Sequence, residues 1–211
     1  MKRNKISIIN SGYGNIQSLI NAFEHLNCKV DILNNGIDIK NAEILVLPGV
    51  GSFSSAINYL IKHKLFSSLK ENIEIKKKKI LGICLGMQLM CKKSNEYGEN
   101  KGLNLIPFDV SAFKKKELKG LKTPHIGFNF VDKKKDSILL KNINQTYFYF
   151  AHSYRIEIKK KDFSKYSTCK YGIDFLATYE KNNIFATQFH PEKSGPNGLK
   201  ILSEFKKIFQ L

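Results

Sequence analysis

The chain has 211 residues, 42% hydrophobic and 25% charged, enough for one well-cored domain and short for two. No apolar run approaches the roughly 18 residues that span a bilayer, and Met1-Lys2-Arg3-Asn4-Lys5 leads into no signal-peptide core, so a cytoplasmic protein without a membrane partner is expected. The net charge of +17 raises nucleic acid as a partner, yet only Arg3 and Arg155 among the 35 basic residues are arginine, the side chain suited to bidentate phosphate and base recognition.

The lysine runs at 76–79, 114–116, 133–135 and 159–161 carry no interleaved aromatics, which predicts solvated surface and no nucleic-acid partner. The cysteines, at 28, 84, 91 and 169, form neither C-x-x-C pairs nor a disulfide-dense pattern. Reduced thiols are expected, with no metal and no cofactor.

Residues 5–9 read as a first strand. A helix follows over 15–27, with Ile16, Leu19, Ile20, Phe23 and Leu26 on one face. Strands are predicted at 30–33 and 44–47, the second a continuous apolar run of the buried parallel kind. It stops at Pro48-Gly49-Val50-Gly51-Ser52-Phe53, after which 54 to about 71 reads as one helix. Another strand spans 79–83 and runs directly into an apolar, helix-like stretch. This alternation predicts a single-domain α/β fold over 1–211, a central, mostly parallel sheet flanked by helices, with chemistry at the carboxyl ends of the strands.

The second half changes character and is expected to add antiparallel strands. Residues 108–122 read as a strand and a lysine-rich loop, and strands are predicted at 126–131, 147–151, 154–158, 175–179 and 184–189. A last helix over 197–210 is expected to bury Leu199, Leu202, Phe205 and Phe209.

The junction after the 79–83 strand carries the chemistry. In Gly82-Ile83-Cys84-Leu85-Gly86, glycines sit two residues either side of a cysteine, the thiol counterpart of the G-x-S-x-G nucleophile elbow. Small neighbours permit a strained turn, and a helix N-terminus favours thiolate. A buried structural cysteine would give the same letters.

A nucleophile needs a base and the base an orienting group. Among histidines 25, 63, 125, 152 and 190, the first two fall on predicted helices and read as surface or boundary residues. His190 ends a hydrophobic strand in Gln188-Phe189-His190-Pro191-Glu192. Proline after it favours extended geometry, which would turn Glu192 to the same side. An ordinary strand end is the alternative. For an oxyanion, the Leu85 N–H lies in the right place by elbow geometry, and a peptide of the Pro48–Gly51 segment is either a second donor or a plain turn.

Gly82 to Gln88 together with His190-Pro191-Glu192 resembles the class I (triad) glutamine amidotransferases, which hydrolyse glutamine through a cysteinyl thioester and deliver ammonia to a synthase. Residues 47–53, 124–129, 149–154 and 188–195 resemble the branch of that family that serves histidine biosynthesis. The resemblance implies Cys84 as nucleophile, His190 as general base then acid, and Glu192 as the orienting carboxylate. It implies an oxyanion hole from Gly49, Val50 and Leu85, and a glutamine pocket lined by Gly51, Gln88, Ser153 and Tyr154. The implied partner is a (β/α)8-barrel synthase forming a heterodimer, met by Asn15, Phe128, Tyr149 and Lys193. The free subunit is then nearly silent, with a carbonyl of the Pro48–Gly51 segment turned into the oxyanion site until the synthase is loaded.

Three departures from the family pattern, at Asn10-Ser11, Asn104 and Phe128, leave the triad untouched and are expected near surfaces that meet the synthase. A paralogous branch feeds acetamidino-sugar synthesis instead. A cysteine peptidase or chaperone-like protein of the same sheet architecture, or a basic nucleic-acid-binding protein, would be the competing classes.

Overall fold

The computed structural model describes residues 5–14, 16–134, 136–158 and 165–208. The first half alternates strand and helix: β1 (Lys5–Ile9), α1 (Ile16–His25), β2 (Lys29–Leu33), β3 (Ile44–Leu47), α2 (Phe53–Lys62), α3 (Leu65–Lys70), β4 (Lys79–Ile83) and α4 (Leu85–Leu89). The second half runs β5 (Cys91–Ser94), β6 (Asn100–Lys101), β7 (Ile106–Ala112), α5 (Lys115–Leu118), β8 (His125–Asp132), β9 (Tyr147–His152), β10 (Tyr154–Ile156), β11 (Lys165–Tyr171), β12 (Ile173–Lys181), β13 (Ile184–Thr187) and α6 (Gly195–Lys207).

Nine strands form one sheet in the order β2-β1-β3-β4-β13-β12-β11-β8-β9. From β2 to β13 the pairs are parallel, and from β12 outward they are antiparallel. The sheet is therefore mixed, an α/β fold with its parallel half built almost entirely from the first half of the chain. β10, β7, β5 and β6 make a separate small sheet. The chain crosses between the two at Ser153, the single residue between β9 and β10.

Side chains of β3 show how the layers are held. Ile44 and Val46 point to one face and Leu45 and Leu47 to the other, as strand alternation requires. The first face is covered by Leu19 and Phe23 of α1 and by Ile201, Leu202 and Phe205 of α6. The second is covered by Phe53, Ala56 and Leu60 of α2, by α3, and by Ile106, Phe108 and Val110 of β7. Each fully buried side chain of this size stabilises by about 1.5–3 kcal/mol, so both layers are needed to hold the strand ends in register.

The expected helix from 54 to 71 is broken. Lys64 takes a left-handed conformation (φ 57°) that separates α2 from α3, and a π-helical turn continues over Glu71–Ile75. Strands β5, β6 and β11 were not expected from the pattern; β11, with the sequence Lys-Tyr-Ser-Thr-Cys-Lys-Tyr, carries a bulge at Ser167/Thr168 that interrupts its alternation. A short helix, α5, interrupts the lysine-rich loop of 108–122. Leu199 is half-buried, while Leu202 and Phe205 are fully so; Phe209, like Asn15 and the run at 159–161, lies outside the described residues. No helix of the described residues is long and apolar enough to cross a membrane.

Candidate active site

Cys84 is the sole residue between β4 and α4, at φ 52° and ψ −111°. Such a conformation stores roughly 1–3 kcal/mol of strain, so the surroundings must impose it. The Cys84 N–H donates to the Thr187 carbonyl of β13 at 2.8 Å, and the Cys84 carbonyl accepts from the Gln88 N–H at 3.2 Å. The flanking glycines have steric reasons. A Cβ on Gly86 would run into the Leu47 carbonyl at the end of β3, and one on Gly82 would lie 3.0 Å from the Met87 backbone nitrogen.

His190 follows β13 in extended geometry (φ −95°, ψ 99°). Its N–H donates to the Tyr149 carbonyl at 2.9 Å; Ser194 Oγ donates to the His190 carbonyl at 2.6 Å and accepts from the Tyr149 N–H at 2.9 Å. This lacing to β9 fixes the histidine backbone. Glu192 Oε1 lies 2.8 Å from His190 Nδ1. The pair meets as expected, but not by strand alternation: a 3-10 turn over Pro191–Lys193 folds Glu192 back.

Burial alone would lower the His190 pKa. The charge on Cys84, its hydrogen bond to the ring and the Glu192 carboxylate outweigh that and push the value up to about 10. Burial pushes the thiols of Cys28, Cys91 and Cys169 up, the last to about 12, so they stay protonated and inert.

Cys84 opens onto a cavity of about 350 Å³ lined also by Val50, Gly51, Leu85, Gln88, Glu96, Ser153 and Tyr154. That volume suits a small amino-acid ligand. A second cavity of about 130 Å³ holds His190, Glu192 and Lys193 on its wall, together with Gly14 and the Pro48–Val50 segment. Val50 borders both. A thiol at a helix start, an imidazole whose protonated form that thiol favours and a carboxylate behind it form the elements of a thiol acyl-transfer centre.

The model of the family described as glutamine amidotransferase class-I matches residues 7–208. The chain belongs to the class I glutamine amidotransferases. It is 44% identical over 206 residues, 97% of this chain and 98% of the relative, to "Imidazole glycerol phosphate synthase subunit HisH" of Caldanaerobacter subterraneus subsp. tengcongensis. It is 39% identical over 207 residues to "Imidazole glycerol phosphate synthase hisHF, chloroplastic" of Arabidopsis thaliana, matching 95% of this chain and 33% of that longer one. Among solved structures, one titled "Crystal structure of glutamine amidotransferase" superposes with a TM-score of 0.76 at 12% identity, covering 98% and 99% of the two chains. The last likeness is one of fold.

In this amidotransferase the structure gathers Cys84, His190, Glu192, Gly49, Val50, Leu85, Gly51, Gln88, Ser153 and Tyr154 at the carboxyl edge of the parallel strands. Phe128 and Tyr149 pair across β8 and β9 with ring centroids 5.7 Å apart, and Lys193 Nζ lies 5.9 Å from the Tyr149 centroid. Asn15 lies outside the described residues. Asn104 borders a cavity with Asn183 and Ile184, at the amino end of β13 and so at the opposite end of the sheet from Cys84. Its backbone is left-handed (φ 57°), a conformation that asparagine tolerates better than most residues. Ser11, by contrast, is at the site edge, with Oγ donating to the Pro48 carbonyl at 3.1 Å.

Two residues escaped the sequence reading. Glu96, a lone acid in a turn, accepts from the Phe53 N–H at 2.7 Å through Oε2 and lines the glutamine-sized cavity. His152 was noted but given no role; it is buried, on the same cavity wall as Cys84.

Proposed function

We propose that Cys84 attacks the side-chain carboxamide carbon of glutamine, with the developing oxyanion held by the N–H of Leu85 and a donor from the Gly49–Val50 peptide. The His190 imidazolium then gives its proton to the departing nitrogen, and ammonia leaves as the C–N bond breaks. The thioester that remains is hydrolysed by a water whose proton passes to His190, releasing glutamate and restoring the thiolate. Glu192 holds His190 with Nδ1–H turned away from the sulfur. Gly51, Gln88, Ser153 and Tyr154 seat the substrate, and the Glu96 carboxylate on the same wall meets its α-ammonium. The central support is the 2.8 Å contact of Glu192 with His190, whose pKa is raised by the neighbouring Cys84, a cysteine in elbow conformation.

The ammonia passes to a (β/α)8-barrel synthase, and the assembly is imidazole glycerol phosphate synthase. The names and near end-to-end coverage of the relatives support this, as does the plant relative, in which the matching region occupies 33% of one longer chain. The outer face of the β8–β9 edge supports a docked partner. Phe128 is 61% exposed, and Phe130 and Tyr147 are about half exposed beside it. Scattered exposed apolar residues need no explanation, whereas a contiguous aromatic strip does.

The test is the synthase that copurifies with the native chain. Cys84→Ala should abolish glutamine-dependent product, while ammonium added to the complex still supports it. Failure of ammonium rescue in an intact complex would overturn ammonia delivery, and an acetamidino-sugar acceptor in place of the histidine-pathway nucleotide would overturn the partner assignment. Equal glutaminase rates with and without the loaded synthase would end the idea of a carbonyl held in the oxyanion site.

A further inference from the structure

His125 and His152 face each other in the β8–β9 register, both buried, and neither belongs to the Cys84–His190–Glu192 set. His152 Nδ1 lies 2.7 Å from the Tyr154 carbonyl oxygen. A carbonyl only accepts, so the proton sits on Nδ1. Burial above all, with the charge of His190 adding to it, keeps His152 neutral, its pKa lowered to about 3, so Nε2 is bare. It accepts from His125 Nδ1 at 3.1 Å. Burial likewise keeps His125 neutral, at about 4, which leaves its Nε2 bare to face Asn129 Nδ2 at 3.4 Å. Asn129 Oδ1 accepts from the Phe130 N–H at 2.8 Å, which fixes that amide's orientation. The direction of every hydrogen bond along this row is thus fixed from both ends.

The consequence lies at the inner end. The Tyr154 carbonyl that receives His152 also accepts from Gln88 Nε2 at 3.0 Å, and the same nitrogen donates to Gln188 Oε1 at 3.0 Å. Both hydrogens of the Gln88 amide are spent, so Oε1 is the atom it offers to the cavity. Gln188 Nε2 in turn lies 3.7 Å from Cys84 Sγ. We propose that His125 is a positioning residue for glutamine: by holding His152 as its Nδ1–H tautomer it anchors the Tyr154 carbonyl, and that carbonyl keeps Gln88 presenting an acceptor to a substrate N–H. Without the anchor the amide is free to turn, and its NH₂ would oppose the substrate's own donors. The inference rests on the site roles proposed above, since it requires Gln88 to meet the ligand.

The experiment measures glutamine Kd by calorimetry on the full chain carrying Cys84→Ser, which cannot turn over. His125→Phe keeps a ring to stack on Tyr171, 3.9 Å away between centroids, and removes both nitrogens. His125→Asn loses the stack and restores an N–H where Nδ1 was. Glutamine Kd should rise about five- to twentyfold in His125→Phe and recover most of the way in His125→Asn. A merely structural role predicts the reverse order, and that order, or an unchanged Kd in both variants, overturns the proposal. Nitrogen-15 NMR of labelled histidine gives a check that needs no variant to fold: both rings should be neutral Nδ1–H tautomers near pH 7, and an Nε2–H tautomer on either ring overturns it. No glutamine binding in Cys84→Ser with His125 intact would overturn the site reading itself, whereas tight binding there with His125→Phe unaffected removes only this inference.

Discussion

Replacing Glu192 by glutamine keeps the shape and removes the charge that sits 2.8 Å from His190 Nδ1. A charge-assisted hydrogen bond is about twice as strong as a neutral one, so about 1–2 kcal/mol of imidazolium stabilisation is lost, or roughly one pKa unit. From a value of about 10 that still leaves the ring protonated near neutrality. The larger effect is orientation. Glu192 Oε2 is buried without a partner, so the new NH₂ group would be stranded there at about 1–3 kcal/mol, or would turn onto Nδ1–H and force the wrong tautomer. We expect kcat to fall about 10²–10³-fold, between the tenfold that lost charge alone implies and the ~10⁴ of a fully misplaced proton. KM should hold, because Glu192 lines the second cavity and not the one proposed to seat glutamine. Glutamate release across glutamine concentration and pH is the assay. The folded pKa of His190 lies above its unfolded value, so the stabilisation from its charge is complete below about pH 6.5 and is lost as pH rises through about 10. With the variant's value about one unit lower, the charge-dependent part of the stability gap should hold up to about pH 9 and close between about 9 and 10. An unchanged kcat with a raised KM would refute the reasoning.

Further outcomes follow from the same geometry. Arg155 is buried between Glu117 at 3.0 Å and Glu157 at 3.3 Å, so Arg155→Met strands two half-buried carboxylates and should lower unfolding free energy by about 3 kcal/mol in denaturant titration. His125 and His152 are neutral when folded and protonate on unfolding below about pH 6.5, so stability falls as pH drops from there towards 4, by up to about 1.4 kcal/mol per pH unit for each ring. His125→Phe should flatten that slope in unfolding curves taken at successive pH values. Gly86→Ala drives a Cβ into the Leu47 carbonyl and should displace the Leu85 N–H, lowering kcat by about 10² or more as for loss of an oxyanion donor, measured by glutamate release.

The parallel half was legible because its signals are local. β1, β3 and β4 coincide with their apolar runs, and the elbow is a run of letters whose glycines have steric causes within the same stretch or one strand away. The antiparallel half was less so. β11 is half-polar and bulged, and β5 and β6 are short pieces that pair with each other, with only β5 reaching β7 across a shifted register. Residue types alone mark His190 and Glu192 as candidate partners of Cys84, yet the turn that folds Glu192 onto His190 depends on Ser194 and β9, a tertiary arrangement that periodicity does not encode. Glu96 and the His125–His152 pair were out of reach for the same reason: each becomes meaningful only through what tertiary folding lays beside it.

The account stands on the reactivity of one sulfur among four. A chloroketone analogue of glutamine, incubated with the chain and followed by peptide mass mapping, should label Cys84 alone. Glutamine should protect it, and Cys84→Ala should abolish the adduct. Label on Cys28, Cys91 or Cys169, or an adduct at Cys84 that glutamine fails to block, would contradict it.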